Sequence, residues 1–119
     1  MSDPRFVGVL SLHPSADSKF MVLDSDFSFI DSTDLMWTAR KGDQVNGANI
    51  PKIFKPIIGT SYQNPYLPAA VIHDVYCLNK SRSWQDTARM FYQAMITNGV
   101  NIFKALAMYY AVYAFGPHW

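Results

Sequence analysis

Apolar and polar residues alternate along the first third of this chain and fall at helical spacing along its last half. Residues 6–12 and 19–23 are short runs rich in β-branched and aromatic side chains. Between them His13-Pro14-Ser15-Ala16-Asp17-Ser18 reads as a turn, so the two runs are expected to pair as strands, with His13 a solvated turn residue. Phe27 and Phe29, then Leu35 and Trp37, continue the alternation on either side of Asp31-Ser32-Thr33-Asp34, a second turn. The pattern predicts a small N-terminal antiparallel β-sheet of three or four strands.

From Arg40 to Asn49 the alternation stops, and Gly42, Gly47 and two asparagines mark irregular backbone. Pro51 and Pro56 then allow residues 50–59 only a short helical turn or an extended apolar plug, and residues 60–66 form a polar connector. Three helices follow. The first is the run Leu67-Pro68-Ala69-Ala70-Val71-Ile72-His73-Asp74-Val75-Tyr76-Cys77-Leu78, with Pro68 in a first turn that does not need its missing N–H. The second is announced by Ser83-Trp84-Gln85-Asp86, a capping arrangement with an acid in the first turn, and ends at Asn98-Gly99. Its predicted core face is Trp84, Ala88, Phe91 and Met95, with Arg89, Gln93 and Thr97 turned away. The third covers residues 101–115 and stops at Gly116-Pro117. It is apolar nearly all round, and Phe103, Leu106, Ala107 and Tyr110 are assigned to the core while Tyr109, Tyr113 and Trp119 are left as contact residues. The fold class is therefore α+β, a small N-terminal antiparallel β-sheet followed by a bundle of three helices, in one domain over residues 1–119.

Composition narrows the function. Half of the 119 residues are apolar, and eight Phe, seven Tyr and three Trp are enough aromatics that some must reach the surface, where they can meet a partner. Ten basic against nine acidic side chains leave a net charge of +1, too little field to gather nucleic acid. The single cysteine, Cys77, excludes an internal disulfide and a cysteine-based metal site, and reads as a small buried apolar residue. The N-terminus lacks a secretory pattern, and the longest apolar stretch, 102–115, is broken by Lys104 and too short to span a bilayer.

Candidate chemistry collects where polar groups sit inside apolar sequence. His73 and Asp74 lie about 100° apart on the first helix, so imidazole and carboxylate address different neighbours. If the loop carrying Asn46 and Asn49 crosses that helix, the two amides face a site in which His73 is a base, Asp74 an orienter or metal ligand, and Tyr76 a hydroxyl. His73, Asp74 and Tyr76 are thus the catalytic candidates, and Asn46 and Asn49 the loop residues facing them. A divalent cation on Asp74 would need further oxygen ligands, and Asp86, the nearest acid, is explained by capping, so a metal is not favoured. The bland alternative for His73 is a hydrogen-bonded core histidine.

The strings Asn46-Gly47-Ala48-Asn49-Ile50-Pro51, Ala69-Ala70-Val71-Ile72-His73-Asp74-Val75-Tyr76, Ala88-Arg89-Met90-Phe91 and the closing Met108-Tyr109-Tyr110-Ala111-Val112-Tyr113-Ala114-Phe115-Gly116 together resemble the DUF1353 family of small bacterial and phage proteins. That pattern usually reads Thr-Asp-Gly/Phe-Ala-Ser-Ile/Val-Pro in the loop and carries an Ala-Asp pair before the Phe of the second helix. His73, Asp74 and Tyr76 match it, whereas Asn46, Asn49 and Ala88 depart from it. The resemblance carries no settled activity. Its His-Asp helix is similar in arrangement to that of secreted phospholipases, whose His is a base and Asp a calcium ligand. Exchanging an Asp for Asn removes charge a cation would need, and Ala88 cannot orient an imidazole, so the resemblance implies a degenerate hydrolase-like site.

The expected function is a phage-type structural or accessory protein, a virion or tail component made in the host cytoplasm and assembled with other protein subunits. No nucleic acid, transmembrane segment or secretion signal enters this reading. The alternative is a small cell-envelope hydrolase, cleaving an ester or amide with His73 and Asp74.

Overall fold

The alternation around Phe27, Phe29 and Trp37 builds the first of two small sheets. The computed structural model describes residues 3–45 and 65–119. Among these, the strands are β1 (Arg5–Val7), β2 (Leu12–Pro14), β3 (Met21–Leu23), β4 (Phe27–Ile30), β5 (Met36–Ala39) and β6 (Gln44–Val45), and the helices α1 (Leu67–Asn79), α2 (Trp84–Thr97) and α3 (Ile102–Phe115). One antiparallel sheet has the order β1-β4-β5 and the other β2-β3-β6. The α+β class with an N-terminal antiparallel β layer and three following helices is what the pattern predicts, except that the β layer is divided in two.

The division has a local cause. Residues 6–12 do not make one strand, because Gly8 takes φ +93° and a Cβ there would sit 3.0 Å from the Asp26 carbonyl oxygen. The part before it pairs with β4, Phe6 opposite Phe29, and the part after it pairs with β3, Leu12 opposite Leu23. His13 therefore lies on β2 opposite Val22 rather than in the turn. Its exposed ring bonds the Asp24 carboxylate, which also accepts from the Ser11 hydroxyl at 2.6 Å.

In the first sheet Phe29 faces Trp37 across β4 and β5, and both are fully buried. Phe6 stacks on Phe27 with centroids 5.4 Å apart. All four residues of β4 are buried, including Ser28, whose hydroxyl pairs with that of Thr38 at 2.8 Å.

Helix α1 packs between the β layer and α2, and every residue from Ala69 to Cys77 is buried. Lys80 ends it in a left-handed conformation, its N–H bonding the Tyr76 carbonyl. Helix α2 starts on the predicted cap, Ser83 Oγ accepting from the Asp86 N–H at 3.1 Å. Its core face holds Ala88, Phe91 and Met95 as expected, joined by Thr87, Met90 and Ala94, while Trp84 is half-buried. Gln93 is not turned away. Its side chain accepts from the Ser32 N–H at 3.0 Å and donates to the Ser32 hydroxyl at 3.1 Å, fastening α2 to the β4–β5 turn.

The assignment of faces on α3 is corrected. Ala105, Met108, Ala111 and Val112 are buried, whereas Phe103 is 78% and Tyr110 63% exposed. A helix apolar nearly all round has no periodicity to mark its inner face, and α3 docks on α2 through its small and slender residues, which permit closer approach. Gly116 closes α3 where a Cβ would fall 2.5 Å from the Val112 carbonyl oxygen. Among the described residues no helix is long and apolar enough to cross a membrane.

Candidate functional site

His73 and Asp74 stand midway along α1, on a helix with no solvent face at that level. His73 is 3% and Asp74 0% exposed. The imidazole lies against Phe91 of α2, centroids 4.7 Å apart and planes tilted by 36°, and both ring nitrogens are 3.7 Å from Cys77 Sγ one turn further on. Burial lowers the imidazole pKa from 6.5 to about 4, so the ring is neutral at pH 7. Burial, and then the Asp74 charge, push the Cys77 thiol up to about 12. The pair is thus a neutral imidazole beside a protonated thiol, not the thiolate–imidazolium couple of a nucleophilic site.

Tyr76 faces the β layer. Its hydroxyl accepts from the Thr38 backbone N–H at 2.8 Å, an amide on the edge strand β5 that points away from β4. The ring meets Trp37 edge-on at 4.8 Å. Over both lies the Arg82 guanidinium, 4.4 Å from the Trp37 centroid and 5.3 Å from that of Tyr76. Among the described residues its Nη1 is buried without a hydrogen-bond partner and is held by the ring faces instead. The Tyr76 hydroxyl is committed to backbone, so it does not join His73 in a common reaction centre. Asn46 and Asn49, the loop residues expected to face His73, lie outside the described residues, as does the expected plug over 50–59.

Of the aromatic residues named as contacts, Tyr109 and Tyr113 lie between α2 and α3. Tyr109 and Tyr113 are half-buried, with Tyr92 5.8 Å from Tyr109 and Trp84 4.9 Å from Tyr113. His118 stacks on Trp84 at 3.8 Å, and Trp119 Nε1 donates to the Arg82 carbonyl at 2.7 Å. The chain end is thereby strapped across the α1–α2 junction.

Sequence reasoning missed Asp31, which it took for a turn residue. The residue is 8% exposed, and its carboxylate accepts from the Thr33 N–H (2.8 Å), the Thr33 hydroxyl (2.6 Å), the Leu35 N–H (3.1 Å) and Trp37 Nε1 (2.9 Å). Burial by itself would raise its pKa, but the bonds from Thr33, Trp37 and Leu35 outweigh it and hold the carboxyl below the ordinary range. An Asp followed two residues later by Thr is the signature of such a self-bonded turn, and that was the available signal. Asp31, Thr33, Asp86, Arg89 and Gln93 line a cleft of about 360 Å³. Arg89 and Asp86 are paired there at 2.6 Å. Among the described residues no group of three or more His, Cys, Asp or Glu is placed to hold a metal ion.

Comparison with known proteins gives a family. The family described as "Protein of unknown function (DUF1353)" matches residues 21–112. The chain is 50% identical over 121 residues to uncharacterized protein y4jT of Sinorhizobium fredii, an alignment covering 97% of this chain and 36% of that protein. It is 40% identical over 103 residues to uncharacterized protein y4iH of the same organism, covering 87% of this chain and 43% of that protein. The chain thus spans less than half the length of these curated relatives. No solved structure matches it.

Proposed function

This chain belongs to the DUF1353 family, and on that premise we propose that it is a structural or accessory protein of phage type, a virion or tail component that acts by binding other protein subunits. The observation that carries the reading is the state of His73. A general base must reach substrate or water and hold a pKa near the working pH, and this imidazole is enclosed against Phe91 and weakly basic. The other members of the matched string support the same reading: Asp74 is buried, Cys77 is a protonated thiol, and Tyr76 fastens α1 to β5. The string His73-Asp74-Val75-Tyr76 then acts as a polar pin inside the core, and binding falls to the aromatic C-terminal region. The phage setting comes from the family resemblance read in the sequence, and the matched relatives are bacterial.

The test is turnover. Purified protein is assayed against chromogenic esters and against cell-wall amide substrates, beside His73→Leu. The expected result is no hydrolysis above background in either, and the protein present in purified particles by mass spectrometry. Hydrolysis that His73→Leu abolishes while Tm is retained would favour the cell-envelope hydrolase and remove this proposal.

A further inference from the structure

The outward face of α3 has a seam. Phe103, Ala107, Tyr110 and Ala114 follow one another at spacings of four, three and four, the a/d repeat by which one helix packs along another. The opposite side, Ala105, Met108 and Val112, is buried on α2, so the seam points away from the rest of the described residues. Phe103 is 78% exposed, Tyr110 63%, and at the two ends Ile102 is 51% and Phe115 76% exposed. Such a run of exposed apolar residues marks a contact surface more often than a solvated one.

We propose that this seam pairs antiparallel with the seam of a second copy of the chain, forming a two-fold dimer through α3. The order of large and small residues selects the partner and its direction. Laid antiparallel about the middle of the helix, Phe103 of one copy falls on Ala114 of the other, and Ala107 falls on Tyr110, so every layer puts a ring over a methyl group. The two contacts are each generated twice by the symmetry, four in all, as a closed two-fold interface requires. A parallel pair would set Phe103 against Phe103 and leave Ala107 facing Ala107 across a gap.

Charge agrees. Lys104 is the seam's charged neighbour, and parallel pairing would bring the two copies of it side by side. Antiparallel pairing separates them by roughly nine residues of helical rise, about 13 Å, which exceeds the screening length of about 10 Å at ordinary salt. Area sets the strength. Phe103 and Tyr110 each bring up to roughly 150–250 Å² when fully exposed, so at their observed exposure the seam offers on the order of 300 Å² per copy, Ile102 and Phe115 lying about 110° to either side of it. The total of roughly 600 Å² lies below the standard size of a stable interface, which predicts a weak dimer populated toward millimolar concentration. The inference does not depend on whether His73 is catalytic.

Sedimentation of the full chain between micromolar and millimolar concentrations tests it. The expected result is a concentration-dependent dimer whose dissociation constant rises more than about tenfold in Ala107→Glu and in Phe103→Lys, with circular dichroism and Tm unchanged. Direction is read by crosslinking: Phe103→Cys combined with Ala114→Cys forms an intermolecular disulfide, and Phe103→Cys alone does not. A monomer at all concentrations, a dimer that survives both charge substitutions, or a crosslink through Phe103→Cys alone would each overturn the proposal.

Discussion

Helices α1 and α3 differ in burial in the direction opposite to their composition. Helix α1 carries a histidine and an aspartate at its centre, yet nine consecutive residues, Ala69 to Cys77, are buried. Helix α3 has a single charge, Lys104, yet presents Phe103, Tyr110 and Phe115 to solvent. The difference lies in how many neighbours each helix has. Helix α1 is enclosed by β4, β5, β6 and α2, whereas the packing of α3 is chiefly on α2. A helix with neighbours on several sides buries whatever residues it has, and its polar groups must then be neutral or bonded. A helix with one main neighbour exposes the remainder, however apolar.

Three substitutions or conditions press on this contrast. The largest effect is expected at the enclosed helix: Ile72→Ala leaves a cavity where exposure is 0% and should cost about 2–5 kcal/mol, read by urea or thermal unfolding. A loss below about 1 kcal/mol would mean that α1 is less tightly enclosed than its burial indicates.

Next comes pH. The folded pKa of His73, about 4, lies below its ordinary 6.5, so between these values the unfolded chain binds the extra proton. The stabilisation is complete above about pH 6.5 and is lost as pH falls toward 4, giving a decrease of about 2 kcal/mol between pH 7 and 5. Asp31, held below the ordinary carboxylate range, keeps its contribution over this window and loses it only at lower pH. In His73→Leu the slope from pH 7 to 5 should flatten, and an unchanged slope would show that the imidazole is solvated.

The smallest effect is expected on the outward face. Phe103→Ala removes an entire ring that is 78% exposed and should change the stability of the dilute monomer by no more than about 0.5 kcal/mol. A loss comparable to that of Ile72→Ala would place Phe103 in the core after all and erase the contrast between the helices.

Legibility in the sequence followed the same division. The cap at Ser83, the stop at Gly116 and the alternation of Phe27, Phe29 and Trp37 are local signals, and each element formed where they stand. The pairing of strands was less legible, because Gly8 splits one apolar run between two sheets through a contact with Asp26, eighteen residues away. The candidate site was legible as a string but not as a chemistry. Adjacent imidazole and carboxylate on a helix read equally well as a reaction centre or as a core pin, and what favours the pin is Phe91 on another helix.

By itself the sequence determined the α+β class, the extents of the helices and the residues that can carry charge or metal chemistry, because those depend on periodicity and on groups a few positions apart. Only the tertiary structure decided that His73 is neutral, that Asp31 is a buried acceptor of four bonds, and which side of α3 meets water. Desolvation and packing are properties of what surrounds a residue, and those surroundings come from segments distant in the chain.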